Sequence, residues 1–222
     1  MIVRFIALST CVLALTGCGS DDPATSTTTD TGTGTTDTGT AGETGGETGG
    51  ETGVTPTCDL YCTAVMANCT GAKNAQYPDK DRCLSICKNM TVGKGADTSG
   101  DTVGCRLYHA NNAKVDGADL HCPHAGMTGG KVCGATRCDA YCKLAQAQCE
   151  GKSPPFTSVA DCKTKCPEDK FSATAAGGEL DQGKGSLNCM QYHLEAAYTS
   201  AAAAGTHCPH LTITVAGMPC TP

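Results

Sequence analysis

The sequence predicts a small disulfide-rich, mostly α-helical fold, organised as two tandem homologous domains after a disordered tether. Cysteine is abundant, with 18 residues in a chain of 222, whereas aromatic residues make up only 4% and tryptophan is absent. Most of these cysteines fall into two consecutive sets with closely similar spacing. Many cysteines combined with few large apolar side chains are typical of proteins that disulfide bonds stabilise in an oxidising compartment.

The N-terminus has the pattern of a signal peptide, predicted over residues 1–17. Arg4 supplies a positive charge, and residues 5–15 form an apolar run that is too short to cross a bilayer comfortably. The run leads to Leu-Thr-Gly-Cys18, which resembles the bacterial lipobox and implies a lipid on Cys18 after cleavage before it. Gly19 follows instead of Asp, which in enteric bacteria implies the outer membrane. The alternative is an ordinary signal peptide with an incidental cysteine.

Residues 18–57 are predicted to form the disordered tether. They are rich in Thr, Gly and Asp, and residues 19–57 contain seven acids and no base. Such a segment buries too little apolar surface to offset the entropy of ordering, so we expect a flexible coil with an average span of about 35 Å. Beyond the tether, 15 basic and 15 acidic side chains balance, which argues against nucleic acid as a partner.

The 16 cysteines after the tether divide into two sets of eight. The first set, in residues 58–134, has gaps of 3, 6, 13, 3, 17, 16 and 10 residues, and the second, in residues 138–221, has gaps of 3, 6, 12, 3, 22, 18 and 11. This internal duplication sets the predicted domain boundaries. The cysteines predicted to form structural disulfides within each repeat are Cys58, Cys62, Cys69, Cys83, Cys87, Cys105, Cys122 and Cys133, then Cys138, Cys142, Cys149, Cys162, Cys166, Cys189, Cys208 and Cys220.

Residues around the cysteines repeat as well. A C-x-x-Y-H block begins at Cys105 and again at Cys189, and an H-C-P-H block surrounds Cys122 and Cys208. Each unit has about 80 residues, a size at which a core is marginal without cross-links. Four disulfides at roughly 3 kcal/mol each therefore decide whether such a unit folds.

Two helices, each carrying a C-x-x-x-C pair, are predicted in each repeat. In the first repeat Thr57 caps a helix over 58–69, Gly71 ends it, and Asp79 or Asp81 starts the second helix. Cysteines four residues apart share a helix face, so two antiparallel helices can be cross-linked at two levels. This geometry favours one choice among 105 connectivities in each repeat, namely Cys58–Cys87 with Cys62–Cys83, and Cys138–Cys166 with Cys142–Cys162.

A third helix is predicted to start at Asp101 or Thr102 and to carry the first C-x-x-Y-H block. Its counterpart starts near Ser186 and continues through the alanine-rich residues 196–204.

Two further expectations concern the ends of the repeats. Pro123 and Pro209 should exclude a regular helix across the H-C-P-H turns. Residues 212–215, which alternate Thr with apolar residues, are the best candidate for a strand.

All six histidines of the chain lie in the repeated blocks, three in each repeat: His109, His121 and His124, then His193, His207 and His210. On a helix, His109 would share a face with the cross-linked Cys105, and the other two histidines flank Cys122. A cluster of three neutral imidazoles is a good ligand set for Zn or Cu. The alternative is that the rings only cap backbone carbonyls and pack beside disulfides, in which case no cofactor is needed.

Signatures of catalysis are missing from the sequence. It contains no C-x-x-C-H, C-x-x-C, H-E-x-x-H or G-x-S-x-G motif and no phosphate-binding loop. Every cysteine after Cys18 has a potential partner, so we expect no free nucleophilic thiol. The sequence therefore predicts a protein that is not an enzyme.

The lipobox and acidic tether, followed by the C-x-x-Y-H and H-C-P-H blocks, resemble a group of uncharacterised cysteine-rich lipoproteins of myxobacteria. This resemblance implies a cell-envelope setting, periplasmic or surface-exposed, and assigns no activity. Its partners would be the membrane, through the lipid anchor, and an unknown envelope or extracellular ligand. We therefore expect a non-enzymatic surface module for binding or structure; the alternative is an envelope protein that binds Zn or Cu through a three-histidine cluster in each repeat.

Overall fold

The computed structural model describes residues 54–173 and 178–222 of the chain. Within these ranges the protein consists of α-helices, short 3-10 helices and loops, and the one β-bridge is an isolated contact between Thr91 and Thr102. The prediction of a mostly α-helical, disulfide-rich fold is confirmed. The predicted signal peptide, Cys18 and nearly all of the predicted tether lie outside the described residues. No helix in the described ranges is both long enough and apolar enough to cross a bilayer.

The described residues contain five α-helices in the first repeat and four in the second. The first five are α1 (Cys58–Asn68), α2 (Gly71–Asn74), α3 (Lys80–Cys87), α4 (Val103–Asn112) and α5 (Ala118–Ala125). The others are α6 (Arg137–Cys149), α7 (Val159–Lys165), α8 (Leu187–Ala197) and α9 (Ala201–His207). Short 3-10 helices lie at Gly129–Lys131, Glu168–Lys170, Gly178–Leu180 and Cys208–His210.

Side-chain caps start the helices where the sequence predicts them. The Thr57 hydroxyl accepts a hydrogen bond from the Leu60 N–H at 3.2 Å. Of the two candidates for starting α3, Asp79 is the cap, and Thr102 in the same way starts α4. Each cap satisfies one of the backbone N–H groups that a helix leaves without a partner at its first turn.

The described residues form eight disulfides, four in each repeat and none between repeats. The predicted pairs are confirmed: Cys58–Cys87 and Cys62–Cys83 join α1 to α3, and Cys138–Cys166 and Cys142–Cys162 join α6 to the α7 segment. The remaining pairs are Cys69–Cys122, Cys105–Cys133, Cys149–Cys208 and Cys189–Cys220. Both repeats therefore share one connectivity, as the duplication requires.

The alanine-rich segment of the second repeat is not one continuous helix, so that prediction is wrong. Ser186 caps α8 as expected, but the helix ends at Ala197. Ser200 then starts α9, because its hydroxyl accepts a hydrogen bond from the Ala203 N–H at 3.1 Å. A serine that caps a new helix competes with continuation of the old one.

The first H-C-P-H turn also departs from prediction, because Pro123 lies inside α5. Proline lacks an N–H, so it removes one intrahelical hydrogen bond, and the neighbouring disulfide of Cys122 holds the segment in place. In the second repeat Pro209 lies in a 3-10 helix after α9 has ended, as the prediction requires.

The predicted strand at residues 212–215 is absent from the described structure. The Thr212 hydroxyl instead accepts a hydrogen bond from the Thr214 N–H at 3.1 Å. This local bond occupies a backbone donor that a strand would pair with a neighbour.

Buried charged groups join the two repeats. The Arg137 guanidinium donates to the Thr128 hydroxyl and to the Glu179 carboxylate, each at 2.9 Å, and lies 3.5 Å from the centre of the Phe171 ring. Because Arg137 is only 6% exposed, removing either partner would leave a buried group unsatisfied. The two repeats consequently pack against each other.

A second contact between the repeats contains a buried carboxyl group. Arg82 of α3 donates a hydrogen bond to the backbone carbonyl of Glu195 in α8. The Glu195 side chain is 2% exposed, and its Oε1 atom has no hydrogen-bond partner among the described residues. Burial raises the pKa of Glu195 well above its usual range, although the Arg82 charge opposes this shift. Burial therefore favours the protonated form of this carboxyl group in the folded protein.

We expect Glu195→Gln to make the protein more stable at neutral pH. The unfolded chain loses the Glu195 proton above its ordinary pKa of 4.5, so the free energy of unfolding of the wild type should fall as pH rises, by up to about 1.4 kcal/mol per pH unit. The glutamine variant should lack this contribution. Guanidinium unfolding of the oxidised protein between about pH 5 and 8 measures it, with the exposed Glu150→Gln as the matched control. Parallel pH profiles for wild type and Glu195→Gln would contradict the assignment.

Candidate metal centre

The first histidine cluster lies between α4 and α5. His109 lies on α4 one turn after Cys105, and His121 and His124 lie on α5 on either side of Cys122. The Cys69–Cys122 bond ties α5 to the end of α1, and the Cys105–Cys133 bond ties α4 to the end of the first repeat. The helices α4 and α5 pack directly against each other, and their histidines face each other. The structure therefore brings together the three histidines that the sequence singles out.

Ring nitrogens of the three histidines converge at short distances. The Nδ1 atoms of His109 and His121 are 2.9 Å apart. The ring centres of His109 and His124 are 4.8 Å apart, with the planes nearly perpendicular. One nitrogen of each ring lies within 4.8 Å of one nitrogen of each of the others. This arrangement can supply three ligands to one ion.

Outer contacts orient two of these rings. The Nε2 atom of His109 lies 3.2 Å from the backbone carbonyl of Thr98. A carbonyl only accepts, so Nε2 carries the hydrogen, and the lone pair of Nδ1 points towards His121. On its far side, the Nε2 atom of His121 lies 3.9 Å from the Asp116 carboxylate. In metal sites, the ring nitrogen that does not bind the ion commonly faces a carbonyl or carboxylate group, as these two nitrogens do.

The surroundings of the first cluster favour neutral imidazole. Burial lowers the pKa of His109 below its ordinary 6.5. It lowers the pKa of His124 to about 4, with smaller contributions from His109, His121 and Arg137. The buried Nδ1 atom of His124 has no hydrogen-bond partner among the described residues. Neutral imidazole with a free lone pair is the form that binds metal.

The second cluster repeats this arrangement with different elements. His193 lies on α8, His207 ends α9, and His210 lies in the following 3-10 helix. The Nδ1 atom of His193 lies 3.0 Å from that of His207 and 3.4 Å from that of His210. Burial lowers the pKa of His193 to about 4, with contributions from the other two rings.

Three of the nitrogen–nitrogen distances are close to those between the ligands of a tetrahedral zinc ion. Nitrogens bound at 2.0–2.1 Å in a tetrahedral site lie about 3.3 Å apart, close to the 2.9, 3.0 and 3.4 Å found in the two clusters. The sulfurs of Cys105 and Cys133 also lie within 4.8 Å of a His109 ring nitrogen. They are bonded to each other, however, and only a free thiolate is a strong ligand.

Two residues of the first site were not predicted from the sequence. Thr98 contributes only a backbone carbonyl, which leaves no signal in a sequence. Asp116 precedes His121 by five residues, and an acidic residue so close to a candidate ligand is a signal that could have been used. The rings of Tyr108 and Tyr192, the residues directly before His109 and His193, lie edge-on to those histidines.

Comparison with known proteins relates part of the chain to a described family. Residues 52–139, which include the whole first cluster, match the model of the BfoA family C-terminal domain. Aurasperone B biosynthesis cluster protein A of Aspergillus niger is 41% identical over 66 residues, which is 29% of this chain and 21% of that protein. Bifonsecin B biosynthesis cluster protein A of Aspergillus brasiliensis is 39% identical over 66 residues, 29% of this chain and 22% of that protein. No solved structure matches the chain.

These comparisons correct two expectations. The relatives are fungal proteins, so the resemblance to myxobacterial lipoproteins is wrong. The predicted partnership with a membrane through a lipid on Cys18, and with it the envelope ligand, is also wrong, because both depended on the bacterial assignment. The chain spans only 21–22% of the length of these relatives, and the match concerns a domain within longer proteins.

We expect His124 and His193 to titrate about two pH units below an ordinary histidine in the metal-free protein. Their folded pKa values of about 4 lie below the ordinary 6.5, so the unfolded chain binds protons first. The stability that these neutral rings contribute is present above about pH 6.5 and is lost as pH falls towards 4. Proton NMR of the imidazole C–H signals measures the titration, and His124→Gln and His193→Gln assign them. Six histidines that all titrate near 6.5 would refute the burial argument.

Proposed function

We propose that the protein binds one transition-metal ion, Zn or Cu, in each repeat through a three-histidine site. The observation that carries this proposal concerns the Nδ1 atom of His193. It lies 3.0 Å from the Nδ1 atom of His207 and 3.4 Å from the Nδ1 atom of His210. One ring nitrogen has either one hydrogen or one lone pair, so it cannot bond both neighbours. Three nitrogens around one point are instead the arrangement that an ion requires.

The first cluster also supports metal binding. A histidine that only packs in a core normally has a hydrogen-bond partner on each buried nitrogen. The buried Nδ1 atom of His124 has none among the described residues, and one ring nitrogen of His124 lies within 4.8 Å of a ring nitrogen of His109 and of His121. An ion in the cluster would accept the lone pair of the nitrogen that faces it. The outer contacts to Thr98 and Asp116 would then orient the other two ligands.

We propose a binding role on the basis of the groups that surround the histidines. Three histidines leave the fourth position of a tetrahedral ion open, as catalytic zinc sites also do. Around them the fold supplies disulfides, a carbonyl and one carboxylate, which hold and orient ligands. Eight disulfides support a setting in an oxidising compartment. The match to a domain of proteins named for biosynthesis clusters supports a module that serves a larger process.

Metal analysis of the oxidised protein tests the proposal. After equilibration with Zn or Cu and removal of free ions, we expect close to two ions per chain. His121→Ala and His207→Ala should each bind one, because each removes a ligand from a different cluster, and the double variant should bind none. Asp169→Asn, an exposed acid outside both clusters, should keep both ions.

The stoichiometry must be accompanied by a check of the fold. Circular dichroism and the absence of free thiols show that each variant keeps its helices and eight disulfides. If the wild type holds neither Zn nor Cu after equilibration with both, the histidines are structural and the proposal is wrong. Loss of both ions in a folded single variant would also contradict two independent sites.

A further inference from the structure

We infer that the two sites hold metal with different strength: the first keeps a resident ion, and the second holds an ion that exchanges with the surroundings. This inference rests on the proposed function. The histidines of the two clusters are arranged alike, but the groups near their outer ring nitrogens differ, and the inference follows from this difference.

The first site has an anionic and a polar group behind its ligands. The Thr98 carbonyl lies 3.2 Å from the Nε2 atom of His109, and the Asp116 carboxylate lies 3.9 Å from the Nε2 atom of His121. The carbonyl accepts the Nε2 hydrogen of His109 and so presents the Nδ1 lone pair to an ion, whereas the carboxylate lies beyond hydrogen-bond distance and acts on His121 through its charge. The hydrogen-bonded carbonyl fixes the ring of its ligand, and the nearby carboxylate stabilises the positive charge that an ion brings.

The second site has a different sequence at the corresponding place. Ala202 stands five residues before His207, where Asp116 stands five residues before His121. Residues 199–206, which lead into His207, contain no charged side chain at all. Residues 199–206 therefore place no carboxylate beside His207.

Solvent access acts in the same direction. His109 and His193 are similarly buried, at 6% and 9% exposed, and His124 and His210 are both partly exposed. The clusters differ in the remaining ligand, because His121 is 8% exposed whereas its counterpart His207 is partly exposed. Water and competing donors therefore reach the second site more readily, which favours exchange of its ion.

Chelator competition on single-site variants measures the difference. His207→Ala retains only the first site, and His121→Ala retains only the second. With Zn and a chromophoric chelator, we expect the first site to bind about 10- to 100-fold more tightly. This is the typical loss of metal affinity when a group that contacts a ligating histidine is removed. Equal affinities, or a tighter second site, would overturn this inference and leave the proposed function intact. If neither variant binds Zn or Cu, the proposed function itself fails.

A second variant identifies the cause. In the His207→Ala background, Asp116→Asn should weaken Zn binding by about tenfold or more. Asp119→Asn makes the same charge change three residues away, at a carboxylate that contacts Lys73 and not a histidine, and should have little effect. Both aspartates are exposed, so neither change should prevent folding. Identical losses in the two variants would show a general charge effect and contradict the assigned role of Asp116.

Discussion

The disulfide between Cys69 and Cys122, with its counterpart between Cys149 and Cys208, is the constraint on which each histidine cluster depends. Each bond ties the segment that carries two histidines to the first helix of its repeat. The third histidine stands one turn from another cross-linked cysteine. Disulfide bonds therefore cross-link every segment that carries a histidine of the clusters. They matter here because the cores of the two repeats are small and poor in aromatic residues.

Burial in this structure consistently favours the neutral forms of ionisable groups. It lowers the pKa of His124 and His193 and raises that of Glu195. Among the charged groups that remain inside the described residues, Arg137 and Glu179 neutralise each other across the repeat boundary, and Arg106 pairs with Asp101. The interior therefore contains neutral histidine rings with lone pairs, and charged side chains that are paired. In such an environment a metal ion would bind imidazole ligands that need not first lose a proton.

Much of the fold was predictable because the spacing of residues in a helix determines which of them share a face. Cysteines at i and i+4 share a face, so the two C-x-x-x-C helices could be paired in advance, and the side-chain caps at Thr57 and Thr102 could be read directly. The grouping of the histidines followed from the duplication. The contacts behind them depend on the path of loops, which local patterns do not determine. Pro123 was misjudged because a long-range cross-link outweighs a local helix-breaking preference.

The connectivity has a consequence for the biogenesis of the protein. The bonds that close each cluster join cysteines 53 and 59 residues apart in sequence, so the histidines assemble only after these long loops have closed. Before oxidation, the same chain presents 16 thiols from Cys58 onward, and thiolates bind soft metals strongly. Metal present at that stage would therefore bind cysteine thiolates. If the two clusters hold metal as proposed, oxidation has to come before metal binding, and the order of the two events is then part of the maturation of the protein.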